Sequence, residues 1–314
     1  MTVTVPATLA WPALPFGAWR ETQATLHLWT QVVGKVKLEL SPFLNEWWNV
    51  AFALTPRGLT TGTIPAGDTM FAVDFDFVDH TLFIRTSDGR TRSMPLIPRS
   101  VAAFYAEFLA MLRGLNIDVA INPLPVEIPD PISCEVDTEH DAYDPEPVVR
   151  FWRIMLQTEQ VLQRFRSSFA GKSSPIHFFW GSFDLSHTRF SGRPASQPAD
   201  WPRFLRIAEE QENYACGFWP GNATMSGVEF GGPAFYAYCF PAPAGFAEAA
   251  ARPAAAYFDQ NLGEFILRYD DVRRAADPEQ ALLDFFRSTY EAAATLGGWD
   301  RQALERTPPE GANR

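Results

Sequence analysis

Two segments of the chain share one pattern at an offset of 132 residues, and this repeat constrains the fold more than any other feature. Trp47–Leu54, followed by Arg57, aligns with Phe179–Ser186, followed by Arg189. The positions that change from apolar to polar are Val50, Phe52 and Leu54 in the first copy and Ser182, Asp184 and Ser186 in the second. A sheet face that is apolar in one half is therefore predicted to be polar in the other.

The repeat extends on both sides of this pattern. Predicted helices end at Gly34-Lys35 and at Gly171-Lys172, and the later pairs are the hairpins Phe75–Arg85 and Phe258–Arg268 and the helices Val101–Leu115 and Leu282–Leu296. The period is too long for a solenoid array, and 314 residues are enough for two packed cores. We expect an internal duplication that gives two related halves.

These observations predict an α+β protein in which each half is a mainly antiparallel sheet with flanking helices. Residues 1–121 form the first repeat, and residues 148–306 form the second, with an insertion at about 191–253. Between them, residues 122–147 hold six prolines and eight acidic residues, which is typical of a linker that runs over the surface.

Composition argues against several classes of function. A net charge of −11 is unsuited to nucleic-acid binding, which needs a basic face, and no apolar run is long enough to span a membrane. Three widely spaced cysteines and the lack of a secretory signal favour a reducing cytoplasm. Because metal-ligand spacings and phosphate-binding glycine loops are both missing, neither a metal nor a nucleotide cofactor is expected.

The segment 177–190 reads as one strand with alternating faces. Its even positions include Trp180, Ser182 and Asp184. A carboxyl group buried against Trp180 would have a raised pKa and could act as a general acid or base. Two structural alternatives stay open: the even face meets water, or Asp184 pairs with Arg189 or Arg193.

The predicted insertion places aromatic residues next to this strand. A short helix, Trp201–Asn213, precedes Phe218 and Trp219, which stand between glycines in a predicted loop. Such a loop would either cover a pocket as a lid or cap the edge of a sheet.

Further candidate site residues follow from the same region. Lys172, if buried, would hold a carboxylate or form a Schiff base, although a lysine behind a helix-ending glycine also interacts favourably with the helix dipole. Arg189 would hold a substrate anion. The catalytic candidates are Asp184, His177 and Glu212, and the substrate-binding candidates are Trp180, Ser182, His187, Arg189, Lys172, Phe218 and Trp219.

Three motifs of the second half resemble the signatures of a bacterial family of unknown function. They are HFFWGSFDL (177–185), TRFSGR (188–193) and GFWPG (217–221). The resemblance covers the chain from about Trp11 to Leu304 and implies no particular activity.

We therefore expect a soluble enzyme of hydrolase, lyase or isomerase type that acts by general acid/base chemistry on a small, partly apolar molecule, with an anionic one as an option. The alternatives are a non-catalytic small-ligand-binding protein and a scaffold whose aromatic surface forms a homo-oligomer. Asp184 discriminates among them, because an enzyme needs it beside a cavity with a second titratable group in reach.

Overall fold

The computed structural model describes residues 11–223 and 229–307. Its first sheet is antiparallel and has six strands in the order β1-β2-β4-β5-β6, with β3 paired to part of β4. The strands are β1 (Ala53–Thr55), β2 (Gly58–Thr60), β3 (Ile64–Ala66), β4 (Thr69–Asp76), β5 (Thr81–Thr86) and β6 (Thr91–Pro95).

The second sheet is also antiparallel and has six strands. Its members are β7 (His177–Phe179), β8 (Asp184–Pro194), β9 (Gln211–Trp219), β12 (Ala234–Phe240), β13 (Tyr257–Asp259) and β14 (Glu264–Arg268). A separate two-stranded ribbon consists of β10 (Asn222–Ala223) and β11 (Glu229–Phe230). The order across the sheet is β13-β14-β12-β9-β8-β7, and the predicted α+β class is confirmed.

Helices flank both sheets. They are α1 (Arg20–Leu40), α2 (Val101–Arg113), α3 (Pro145–Ser167), α4 (Arg203–Ala208), α5 (Tyr269–Arg273), α6 (Pro278–Leu296) and α7 (Arg301–Leu304). Within the described ranges, none of these helices is long and apolar enough to cross a membrane.

One core spans both sheets. Phe52 and Phe178 exchange two backbone hydrogen bonds of 2.8 and 2.9 Å, which connect the edge of the first sheet to β7 of the second. Helix α1 is buried on most of its surface from Thr22 to Lys37, and Trp29 stacks on Phe104 of α2. A helix buried on all sides marks the centre of a fold, so α1 is the element around which the two halves pack.

The structure does not confirm the internal duplication. The predicted counterpart of the inner strand β4 is β13, but β13 lies at an edge and pairs only with β14. Residues 191–253, expected as an insertion, contain β9 and β12, and these two strands occupy the middle of the second sheet. Their presence separates β8 from the β13–β14 hairpin.

Several local predictions were wrong. Helix α1 does not end at Gly34-Lys35 but continues to Leu40. Gly34 lies inside the helix and makes room for Trp180, since a Cβ at this position would overlap the indole ring. The predicted strand 177–190 is instead a hairpin, with a turn at Trp180–Phe183.

Candidate functional site

A cavity of about 780 Å³ opens on one face of the second sheet. Its walls come from the sheet, from α1, from α4 and from the segment that precedes α3. A volume of this size suits a small organic ligand. Its polar and aromatic lining includes Glu46, Trp47, Trp48, Glu127, Phe179, Trp180, Ser182, Asp184, Ser186, Thr188, Phe190, Glu209, Trp219, Tyr236, Tyr238 and Glu264.

Strand β8 presents its polar side to this cavity. Side chains alternate along a strand, so Asp184, Ser186 and Thr188 line the cavity. Leu185 and His187 point to the opposite face and are completely buried in the core. The polar face predicted for the second half is therefore the floor of an enclosed space rather than a surface in open water.

Asp184 lies on this floor with both carboxyl oxygens engaged. Ser182 Oγ donates a hydrogen bond to Oδ1, and Tyr236 Oη donates one to Oδ2. The side chain is only 7% exposed, and burial raises the pKa of the carboxyl group despite these hydrogen bonds. Neither Arg189 nor Arg193 contacts it, so the structural pairing considered from the sequence does not occur.

Tyr236 reaches Asp184 by crossing a neighbouring strand. It belongs to β12, Asp184 belongs to β8, and β9 runs between them. Gly217 of β9 is the register partner of both Tyr236 and Ser186. A Cβ at Gly217 would stand 2.8 Å from Tyr236 Oη and would collide with the Leu185 carbonyl. Glycine at this position therefore gives the tyrosine a path to the carboxyl group.

Trp180 forms the wall between the two halves. Its indole Nε1 donates a 2.9 Å hydrogen bond to the carbonyl of Val50, and its ring packs on Gly34 of α1. A buried indole needs a partner for its N–H, and here the partner comes from the first half. Trp180, in the β7–β8 turn of the second sheet, is thereby fixed in position by residues that precede the first sheet.

Glu127 enters the cavity from the acidic segment expected to be a linker. Gln31 of α1 holds this segment by donating to the Val126 carbonyl (2.7 Å) and accepting from the Val126 N–H (2.8 Å). Glu127 itself has a left-handed backbone (φ 57°) and packs against Gly181. Burial, and secondarily the negative charge of Asp184, raise the pKa of Glu127 to about 7.

Glu264 and Glu209 complete the acidic lining. Glu264 begins β14, and burial together with the charges of Asp184 and Asp259 raises its pKa to about 8. Glu209 follows α4 and accepts hydrogen bonds from Asn213 Nδ2 and, at 3.4 Å, from Tyr238 Oη. Burial raises the pKa of Glu209 as well.

Glu46 differs from the other lining carboxylates because it has a cation partner. Lys172 Nζ lies 2.6 Å from its Oε1. The same ammonium group lies 4.3 Å from the centroid of the Phe190 ring and 5.4 Å from that of Trp48. Lys172 thus holds a carboxylate, as one alternative from the sequence expected, but it does so beside the cavity and does not line it.

Besides Lys172 and His177, four more of the predicted residues do not line the cavity. Arg189 lies on the core side of the sheet, where it donates a hydrogen bond to the Phe165 carbonyl and stacks on the Phe165 ring. It therefore cannot hold a ligand anion in the cavity. His187 Nδ1 contacts the Ser174 carbonyl on the same side, and Phe218 is packed in the core. Glu212 is held by Ser191 and Arg193.

His177 and Trp219 occupy intermediate positions. His177 pairs with Ser186 and so shares its face, but its ring packs against Trp48 and does not line the cavity. Burial, helped by Lys37 and Arg166, lowers its pKa to about 4, so the ring is neutral at pH 7.

Trp219 lines the cavity from a strand rather than from a loop. It is the last residue of β9, in the middle of the sheet, so the predicted aromatic lid was wrong. The cover over this side comes instead from α4, which contributes Phe204, Leu205 and Ala208. The Trp47 indole donates a 2.9 Å hydrogen bond to the Phe204 carbonyl and ties the helix to the first half.

Six glutamate and tyrosine residues that line the cavity were missed from the sequence: Glu46, Glu127, Glu209, Tyr236, Tyr238 and Glu264. The alternation in the segment AFYAYCF (234–240) is the only signal that could have placed two of them on one face. Across the described residues, no group of three or more histidines, cysteines or acidic residues is arranged to hold a metal ion.

Comparison with known proteins gives a family and no activity. Neither the curated proteins nor the solved structures contain a significant match. A protein-family model does match, over residues 11–306, and its description is "Family of unknown function (DUF5996)". Because the match covers nearly all of the 314 residues, the chain belongs to this family.

Proposed function

We propose that this protein is an enzyme that transforms a small, partly apolar molecule by general acid/base chemistry, with Asp184 as the proton-transferring group. The observation that carries the proposal is the position of Asp184, which is buried at the floor of a ligand-sized cavity with Tyr236 Oη hydrogen-bonded to it. Burial raises the pKa of the Asp184 carboxyl group, which makes it a stronger base than an ordinary carboxylate and suits it to general acid/base catalysis.

Tyr236 and Ser182 support this role as positioning residues. Burial keeps the pKa of Tyr236 well above its ordinary value, so the hydroxyl stays protonated and donates to Asp184. Two donors fix the orientation of the carboxyl group, while each oxygen retains a second lone pair for a substrate. The aromatic walls formed by Trp180 and Trp219 would hold the apolar part of the ligand.

A non-catalytic binding protein is the second candidate. The observation in its favour is that both oxygens of Asp184 already accept a hydrogen bond within the protein. In that case the carboxyl group would shape and polarise the cavity without exchanging a proton with the ligand.

We also propose a reducing compartment, the cytoplasm, as the location. Cys134, Cys216 and Cys239 are all unpaired and buried. Burial raises the pKa of each thiol, to about 11 or 12, which keeps the groups as inert core residues.

The proposed activity is tested by incubating the purified protein with a small-molecule cell extract and following all components by mass spectrometry. Asp184→Asn should slow the consumption of any wild-type substrate by about 10²- to 10⁴-fold. Asp74→Asn is the matched control, since Asp74 pairs with Arg85 on the first sheet, and it should leave the rate unchanged. An Asp184→Asn protein as fast as wild type would refute the acid/base role. A compound retained but not altered by the wild type would favour the binding protein.

A further inference from the structure

Among the described residues, the charged side chains that line the cavity are all acidic. Five lining side chains carry carboxyl groups, and within the described part of the chain no lysine or arginine lines the cavity. Lys172 compensates Glu46 from outside. The four lining carboxyl groups without an ion pair among the described residues are Glu127, Asp184, Glu209 and Glu264.

Two of these groups also lack any hydrogen-bond partner in the described structure. Glu127 and Glu264 are partly buried and line the cavity, and no described protein group donates a hydrogen bond to either carboxyl group. A carboxyl group that is shielded from bulk water and has no protein donor is left to cavity water or to a ligand. Two such groups on the same cavity favour a ligand that brings its own donors.

The aromatic lining suits a positive charge. Trp48, Phe190, Trp180 and Trp219 present rings to the cavity. Such rings attract cations through their quadrupoles, and Lys172 already illustrates this at the wall, where its ammonium group lies 4.3 Å from the Phe190 centroid. An organic cation with an apolar body can use rings and carboxyl groups together.

We infer that the cavity binds a protonated organic amine whose ammonium group sits among Asp184, Glu127 and Glu264 and whose apolar part packs on the tryptophans. This inference rests on the proposed function, because it names the ligand class for the same site. A bare metal ion is less well suited, since the described histidines, cysteines and carboxyl groups form no set of three with chelating geometry.

Binding of such a ligand is coupled to proton release. In the empty cavity the pKa of Glu264 is about 8 and that of Glu127 about 7, so both carry protons for part of the time at neutral pH. An ammonium group beside them favours the ionised form. The protein therefore loses protons as the amine enters, and affinity rises with pH as long as the amine itself stays protonated.

The test uses three probes of nearly equal shape: phenethylammonium, the neutral 2-phenylethanol and the anionic phenylacetate. Calorimetry at about pH 8.5, where an aliphatic amine is still charged, should show the amine binding at least about tenfold more tightly than the alcohol and phenylacetate binding most weakly. Heats measured at about pH 7 in two buffers of different ionisation enthalpy should reveal proton release with the amine alone, because Glu127 and Glu264 still carry protons there in the empty cavity.

A matched pair of variants locates the effect. Glu264→Gln removes one unpartnered carboxyl group and should weaken binding of the amine by about fivefold or more while leaving 2-phenylethanol unaffected. Glu248→Gln changes an exposed glutamate outside the cavity and should alter neither.

The inference is overturned if the alcohol or phenylacetate binds as tightly as the amine, or if none of the three binds at millimolar concentration. Either result leaves the proposed acid/base role open to its own test, since that role fails only when Asp184→Asn retains wild-type turnover. Turnover that depends on Asp184 together with equal binding of the alcohol would retain the enzyme and discard the amine.

Discussion

Acidic side chains on the first sheet and most of those that line the cavity over the second sheet differ in whether the protein supplies them with a cation partner. In the first sheet, Asp76 accepts hydrogen bonds from Arg57 and from two backbone N–H groups. Burial alone would raise its pKa, but these donors outweigh burial and lower it. In the cavity over the second sheet, Asp184, Glu127 and Glu264 have no cation partner among the described residues, and burial raises their pKa values.

This difference distinguishes carboxyl groups that stabilise the fold from carboxyl groups that are available to a ligand. An ion pair on the first sheet satisfies a carboxylate within the protein, so nothing further is required of it. Unpaired carboxyl groups in a cavity destabilise the fold whenever they ionise. A ligand that binds to them would offset this cost. Residues with perturbed pKa values that face a cavity are therefore the ones to associate with a ligand.

The largest expected effect is a contrast between two equivalent substitutions. Asp76→Asn removes the charge that Arg57 and the turn depend on, so it should lower the free energy of unfolding by about 2 kcal/mol. Asp184→Asn removes a buried carboxyl group with no cation partner, so at pH 8 it should be neutral or stabilising by about 1 kcal/mol. Denaturant unfolding of both variants under one set of conditions measures the contrast. Equal destabilisation by the two would mean that Asp184 is as well satisfied as Asp76.

The next effect is a dependence on pH. A carboxyl group whose pKa is raised in the folded state stabilises the protein below the unfolded pKa of about 4.5, and this contribution is lost as pH rises through the folded value. For Glu264 that folded value is about 8. Relative to wild type, Glu264→Gln should therefore gain stability between about pH 5 and pH 8, by about 2 kcal/mol in total, which is less than the full shift implies because the group faces cavity water.

Unfolding curves of wild type and Glu264→Gln at intervals of one pH unit provide the measurement. Taking the difference between the two proteins cancels the other titrating groups, including the histidines. A difference that stays constant from pH 5 to 8 would show that Glu264 has an ordinary pKa.

The smallest effect concerns the ion pair of the first sheet. Arg57 is half exposed, with 49% of its side chain accessible. Exposed ion pairs contribute about 0–1 kcal/mol, so Arg57→Ala should lower stability by about 1 kcal/mol or less. The same variant should raise the pKa of Asp76, because one of the hydrogen-bond donors that lower this pKa is removed. The pKa can be measured by NMR. An unchanged pKa would mean that the backbone N–H groups alone stabilise the Asp76 carboxylate.

Sequence patterns predicted the secondary-structure class and the polar strand well. The α+β class and the two mainly antiparallel sheets follow from alternation and turn spacing, and the difference between Phe52 and Asp184 pointed to the strand that lines the cavity. Alternation is a local property, so it can be read from a single segment. Ser186, another position at which the repeat changes from apolar to polar, also lines the cavity, whereas its neighbour Leu185 is buried in the core.

Long-range contacts could not be predicted in the same way. Glu127 stands in a proline-rich segment and reaches the cavity because Gln31, far away in the sequence, binds the backbone next to it. Gly34 looked like a helix end, although it is a mid-helix contact for Trp180. Local propensity cannot distinguish a terminating glycine from one that makes room for a distant side chain.

The pKa values of the carboxyl groups in the cavity test most directly whether these groups lack a partner within the protein. The carboxyl ¹³C shifts of the empty protein, labelled at aspartate and glutamate, can be titrated from about pH 3 to pH 10. We predict that Glu264 titrates at about 8, Glu127 at about 7, Asp184 above its ordinary value and Asp76 below it. Cavity acids that titrate together with the paired acids of the first sheet, at or below ordinary values, would contradict the account.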